Sequence, residues 1–92
     1  DRMRELQQQL DSDYANWQRL GERASLYESR LLHEAAANAQ ASLKAYQSGV
    51  TEFTTLMRAR LADLEVRLNE LRIRVDRAKA QANLLYLAGA TP

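Results

Sequence analysis

Few side chains in this sequence could do covalent chemistry. His33 is the only histidine and cysteine is absent, which removes any thiolate zinc site and leaves an imidazole site dependent on remote carboxylates. Glu28 and Glu34 lie nearby in sequence, but one histidine and two glutamates on a helix make a poor ligand set, and His33 reads as a surface or interface residue. Met3 and Met57 could serve a soft metal, yet they fall on different segments and fit better as packing residues. Asp11 and Asp13 form a carboxylate pair with no apolar pocket in the sequence around them to perturb it. No glycine-rich phosphate loop or nucleophile motif occurs. The expectation is a protein that is not an enzyme, with no catalytic residue, no metal site and no cofactor.

Basic residues are the other candidate chemistry. Arg58, Arg60, Arg67, Arg72, Arg74, Arg77 and Lys79 crowd one segment and suggest a nucleic-acid face. Asp63, Glu65, Glu70 and Asp76 interleave with them, and Asp63–Arg67 and Glu70–Arg74 have the favourable i,i+4 order of an ion-paired, solvated helix face. The whole chain carries thirteen Lys and Arg against twelve Asp and Glu, a balance that argues against a general nucleic-acid or anionic-membrane binder. No apolar run approaches the ~18 residues of a spanning helix. The chain begins at Asp1 with neither methionine nor signal peptide, and reads as a piece of a longer protein.

The elements that position these residues follow from composition and punctuation. Of the residues, 46% are apolar but only 7% aromatic, so the apolar content is mostly alanine and leucine, the material of long helices. The strong interior break is Ser48-Gly49. A helix is predicted over 2–47, a turn over 48–51, a second helix over 52–88 and a tail over 89–92, all within one domain spanning 1–92. Gly49 suits the left-handed position that closes the first helix, Val50 the apolar residue after it, and Thr51 the N-cap of the next. A link this short makes the helices antiparallel. Asp11-Ser12-Asp13 offers a late alternative start, and Gly21 is tolerated inside the first helix at a cost of about 1 kcal/mol relative to alanine.

Heptads organise the packing. In the second helix Met57, Leu61, Leu64, Leu68, Leu71, Val75, Ala78, Ala82 and Leu85 alternate steps of four and three, as in a coiled-coil seam. Ala59, Ala62, Val66, Ile73, Ala80 and Leu87 form a second, weaker seam whose remaining places hold Asn69, Asp76 and Asn83. The first helix carries Met3, Leu6, Leu10, Trp17, Leu20, Ala24, Tyr27 and Leu31, then shifts by one residue to Leu32, Ala36, Ala39, Leu43 and Tyr46. Two seams on one helix imply a neighbour on each side. The fold class expected is all-α, a long antiparallel hairpin that assembles into a bundle or a closed helical barrel. Isolated, it is expected to self-associate, most simply as a four-helix dimer.

At the turn, Tyr46 and Phe53 flank Ser48, Gly49, Val50 and Thr51, placing two aromatics at the mouth of a glycine turn with an apolar tip. This segment resembles the TolC family of outer-membrane efflux proteins. Such chains carry a tyrosine three residues before a turn glycine, apolar residues four, seven and eight after it, and alanine ten after. Tyr46, Gly49, Phe53, Leu56, Met57 and Ala59 occupy those places. Residues 24–32 upstream and the Leu/Ala/Arg run closing at residues 84–89 also look similar, so the resemblance spans nearly the whole chain, with the return helix somewhat nearer the heavy-metal branch than the drug branch.

The resemblance implies a periplasmic hairpin in the tunnel of a homotrimeric outer-membrane duct, meeting the membrane only through a β-barrel that this chain lacks. It implies that Ser48, Gly49, Val50 and Thr51 meet a periplasmic adaptor protein while Tyr46 and Phe53 staple the tip. Many relatives place acidic residues six and nine positions after the second hairpin's glycine, at the tunnel constriction. Thr55 and Arg58 stand there, so cation selectivity does not carry over. His33 stands where a proline is common. The rival readings are the adaptor's own hairpin, whose Arg, Leu and Ser turn pattern is absent from residues 44–56, and a generic coiled-coil interaction module. A nucleic-acid arm is a further rival that the charge balance disfavours.

Overall fold

The computed structural model describes residues 1–90. Its fold is all-α, a helical hairpin of α1 (Arg2–Leu26), a π-helical turn (Tyr27–Leu31), α2 (Leu32–Gln47) and α3 (Phe53–Ala90), with no strand among the described residues. Asp1 caps α1. Its carboxylate accepts from the Met3 N–H at 3.2 Å and its carbonyl from the Glu5 N–H at 3.0 Å. Residues 2–10 are therefore helical, and the later start at Asp11-Ser12-Asp13 is not used. The side-chain amides of Gln7 and Gln9 instead donate to the carboxylates of Asp11 and Asp13, one turn on.

The one-residue seam shift near Leu31 has a physical form. The Leu32 N–H bonds the Tyr27 carbonyl, five residues back, closing the π turn. One extra residue in that turn rotates everything downstream, so the inward positions step from Tyr27 to Leu32. At the other end, α3 does not stop at Ala88 but continues through Gly89 to Ala90. Gly49 is the sole described residue of positive φ, so Gly89 keeps helical geometry and closes nothing. Thr91 and Pro92, the rest of the expected tail, lie outside the described residues.

Contacts divide the chain into two compact units. In one, residues 25–71, α2 and the first half of α3 run antiparallel. Leu56 and Ala59 are buried there, and Leu32, Ala39 and Leu43 are half-buried. The other pairs Asp1–Ala24 with the chain from Arg72 onward. There Ala24 and Ile73 are buried, while Leu10, Trp17, Leu20, Ala80 and Leu84 are half-buried.

The inward stripe of α3 corrects the sequence reading. The buried and half-buried positions Leu56, Ala59, Asp63, Val66, Glu70, Ile73, Arg77, Ala80, Leu84 and Leu87 follow one another in steps of three and four, with Met57 and Asn69 half-buried at the edge of that stripe. Ala59, Val66, Ile73, Ala80 and Leu87 belong to the weaker predicted seam. Its other places are taken by Asp63, Glu70 and Arg77 rather than by Ala62, Asn69 and Asp76, of which Ala62 and Asp76 are exposed. The leucine-rich seam of Leu61, Leu64, Leu68 and Leu71 faces away from the pairing helices.

Charged residues hold these inward places because each half of the fold accommodates them. Asp63 pairs with Arg67 at 3.0 Å, and Glu70 is only 8% exposed. The Arg77 guanidinium lies over the Trp17 ring at 4.9 Å, a cation–π contact. Tyr14 supports Trp17 at a ring separation of 5.9 Å, and Asn83 donates to the Asp13 carboxylate at 2.6 Å. Gly21 leaves the space that Arg77 fills, since a Cβ there would stand 3.0 Å from a terminal guanidinium nitrogen and 3.1 Å from Cζ.

That packing role is measurable. Gly21→Ala should gain less than the ~1 kcal/mol expected from helix propensity alone, because the guanidinium on Trp17 must give way to the new methyl group. In an Arg77→Ala background the same substitution should recover the full gain. Urea denaturation of the four variants tests the coupling, and equal gains in both backgrounds would show that Gly21 has no packing role.

Candidate docking surfaces

Two surfaces are built from groups that the fold leaves exposed: the hairpin tip and the outer stripe of α3. The tip closes by a Schellman arrangement. Ser48 ends α2, Gly49 takes φ +76°, the Gly49 N–H bonds the Tyr46 carbonyl at 3.0 Å and the Val50 N–H bonds the Ala45 carbonyl at 2.9 Å. The Ser48 hydroxyl and N–H both donate to the Lys44 carbonyl, at 2.9 and 3.0 Å. The last carbonyls of α2 are thus satisfied locally, and the turn needs no partner to hold its shape.

Thr51 does not cap α3. Its N–H still reaches back to the Ala45 carbonyl at 3.4 Å, which keeps Thr51 in the turn. Glu52 takes the cap position instead, its carbonyl accepting from the Thr55 and Leu56 N–H groups at 3.1 and 3.3 Å, and α3 begins at Phe53. Tyr46 and Phe53 meet edge-to-face across the turn, 5.8 Å apart at 62°, a contact worth about 0.5–1.5 kcal/mol beyond burial. Val50 is 80% exposed, and Ser48, Gly49, Thr55 and Arg58 are also exposed. The tip is therefore a stapled apolar point, with Thr55 and Arg58 on the first turns of α3 beside it.

The outer stripe comprises Leu61, Leu64, Leu68, Leu71 and Val75, from 44% to 64% exposed, with Leu85 further along α3. Sequence periodicity finds this stripe but does not say that it faces outward. No sequence signal separates the two stripes: Asp63, Glu70 and Arg77 keep the seven-residue spacing of Leu56 and Leu84 and lie with them in the inward set, but their residue types are those of an outer face. In the 25–71 unit an open groove of about 410 Å³ runs beside the stripe, between Ala36, Ala39 and Leu43 of α2 and Arg60, Leu64 and Arg67 of α3.

The remaining candidates stay apart. His33 is exposed, and no group of acidic, histidine or cysteine side chains suited to a metal occurs among the described residues. The Glu34 carboxylate, hydrogen-bonded to Arg30 at 2.9 Å, holds that guanidinium above its ordinary value by hydrogen bonding and then by charge. Arginine is cationic in either case, so no switch results. No described helix is long and apolar enough to cross a membrane. Comparison with family models, curated proteins and solved structures finds no match to this chain.

The tip geometry rests on Gly49. An ideal Cβ there meets no atom within 4 Å, so the cost of substitution is conformational alone. Gly49→Ala should destabilise the hairpin by about 1–2 kcal/mol and Gly49→Asn by less, measured as shifts in the denaturation midpoint followed by circular dichroism. Equal stability of all three would contradict the left-handed closure.

Proposed function

We propose that this chain is the periplasmic hairpin of a TolC-like outer-membrane efflux duct, forming part of the tunnel wall and docking a periplasmic adaptor through Ser48, Gly49, Val50 and Thr51. The observation that carries this reading is the pair of stripes on α3, one covered within the chain and one uncovered. A tunnel wall asks that of each helix, since each lies between two neighbours. The self-contained glycine turn with an exposed Val50 supports the docking role, because a tip that keeps its shape unaided can be recognised as a rigid body. In this reading three copies of the complete protein surround the passage, and the segment moves no substrate by itself. Energy comes from an inner-membrane pump joined through the adaptor, and the cargo is a metal ion or a drug.

A coiled-coil interaction module of some other protein is the second reading. It is favoured by Thr55 and Arg58 at the places where many of the resembled family carry acidic constriction residues. The two readings share the outer stripe and differ at the tip.

Within the complete protein, Val50→Asp should lower adaptor affinity by roughly tenfold or more, as expected for a central apolar anchor, with helicity unchanged because the side chain is exposed. A cysteine at Val50 should crosslink to the adaptor. Normal adaptor affinity in Val50→Asp, with no crosslink, would leave the module reading in place of the duct. The isolated chain should self-associate through the outer stripe, more strongly as salt screens its arginines. Sedimentation should show that association lost in Leu64→Glu/Leu68→Glu, and a concentrated wild-type chain that stays monomeric at high salt would remove the proposed role of the stripe.

A further inference from the structure

We infer that the outer stripe of α3 takes an apolar heptad helix of another chain whose flanking positions are acidic. The inference deepens the proposed function by naming its neighbour's chemistry, and rests on that reading only in requiring that a helix cover the stripe. The flanks supply the argument. The residues following Met57, Leu64, Leu71 and Ala78 are Arg58, Glu65, Arg72 and Lys79, and those preceding Leu61, Leu68, Val75 and Ala82 are Arg60, Arg67, Arg74 and Gln81. Six of these eight flanking positions are basic and one is acidic, although the whole chain has a net charge of only +1. The asymmetry arises because Asp63 and Glu70 are turned to the inward stripe.

Flanking charges in a heptad pair select the partner. Arg58, Arg60, Arg72 and Lys79 have no acidic partner within 4 Å among the described residues, so their charge is available to another chain. At low salt a second copy is the weaker occupant, and it competes only as salt screens its arginines. Its own α3 sets arginines against arginines, and the large apolar residues that its other helices expose, Met3, Tyr14, Leu26 and Tyr46, lie eleven or more residues apart and form no continuous heptad stripe. An anionic membrane matches the charge but not the geometry. A strict seven-residue repeat drifts about 20° per heptad around a straight helix, so already over the two heptads from Met57 to Leu71 the stripe turns off a flat surface. A supercoiling helix follows it. The groove beside Ala36 and Ala39, rimmed by Arg60 and by the Arg67 that Asp63 already pairs, gives such a helix close approach and the available guanidinium of Arg60.

The test uses the full 92-residue chain and two labelled synthetic helices with leucine at the heptad core, one flanked by glutamate and the other by lysine. Neither peptide pairs with itself at low salt. Anisotropy should show the glutamate helix binding roughly tenfold or more tightly than the lysine helix at about 50 mM salt, with the preference fading near 500 mM. Arg60→Glu/Arg72→Glu, at exposed positions without partners, should remove most of the preference while circular dichroism stays unchanged. Equal binding of both peptides would overturn the charge inference and leave a helix-covered stripe standing. Binding of neither would overturn both, and tighter binding to phosphatidylserine vesicles than to the glutamate helix would replace the helix with a membrane surface.

Discussion

A helix with a neighbour on one side can cover only one stripe of its surface, and α3 carries two. Fully burying a leucine side chain contributes roughly 1.5–3 kcal/mol, and the outer leucines are about half exposed. Each therefore leaves about 1 kcal/mol unrealised while the stripe is bare. The inward stripe is the poorer of the two, with Asp63, Glu70 and Arg77 at every second place between its apolar residues. The chain thus folds around a thin interface and keeps its richest apolar surface for something else. The functional readings are different answers to what that something is.

The charged inward residues shape the specificity of the pairing more than its strength. Polar residues at core heptad positions fix register at a cost in stability, and buried charges are weak contributors even when paired. In the unit built from Asp1–Ala24 and the chain from Arg72, register is pinned by Asn83 to Asp13 and by Arg77 seated between Trp17 and Gly21. A slide by one heptad would put the guanidinium against a residue with a Cβ and strand the Asn83 amide. In the 25–71 unit the closed turn does the same work, because Gly49 and the Tyr46–Phe53 contact set where α2 ends and α3 begins. The π turn then lets the seam of the first helices change phase without breaking the helix.

The tip is local in origin and outward in effect. Every hydrogen bond that closes it runs between residues 44 and 51, so its form does not depend on distant packing. The same economy leaves Val50 bare. An apolar residue on a rigid, satisfied turn costs little to bring to a partner, since no loop has to be ordered on binding. That links the glycine conformation to the docking role without any further structural element.

Much of this was legible in the amino-acid order because helices, turn and heptads are short-range properties. Alanine- and leucine-rich composition and the near absence of breakers determine two long helical arms, Ser48-Gly49 determines the turn, and the slip from Leu31 to Leu32 marks the place where a π turn must absorb one residue. Side-chain capping was less legible: Thr51 is a good N-cap by type, yet a backbone bond to Ala45 holds it in the turn and Glu52 takes the place. The facing of α3 was not legible at all. Periodicity reports that two stripes exist and ranks them by apolar content, whereas pairing is decided by what the opposite helices present. Trp17 and the space at Gly21 accept Arg77, Asp13 accepts Asn83, and these contacts across dozens of residues outweigh the oilier stripe and leave it on the surface.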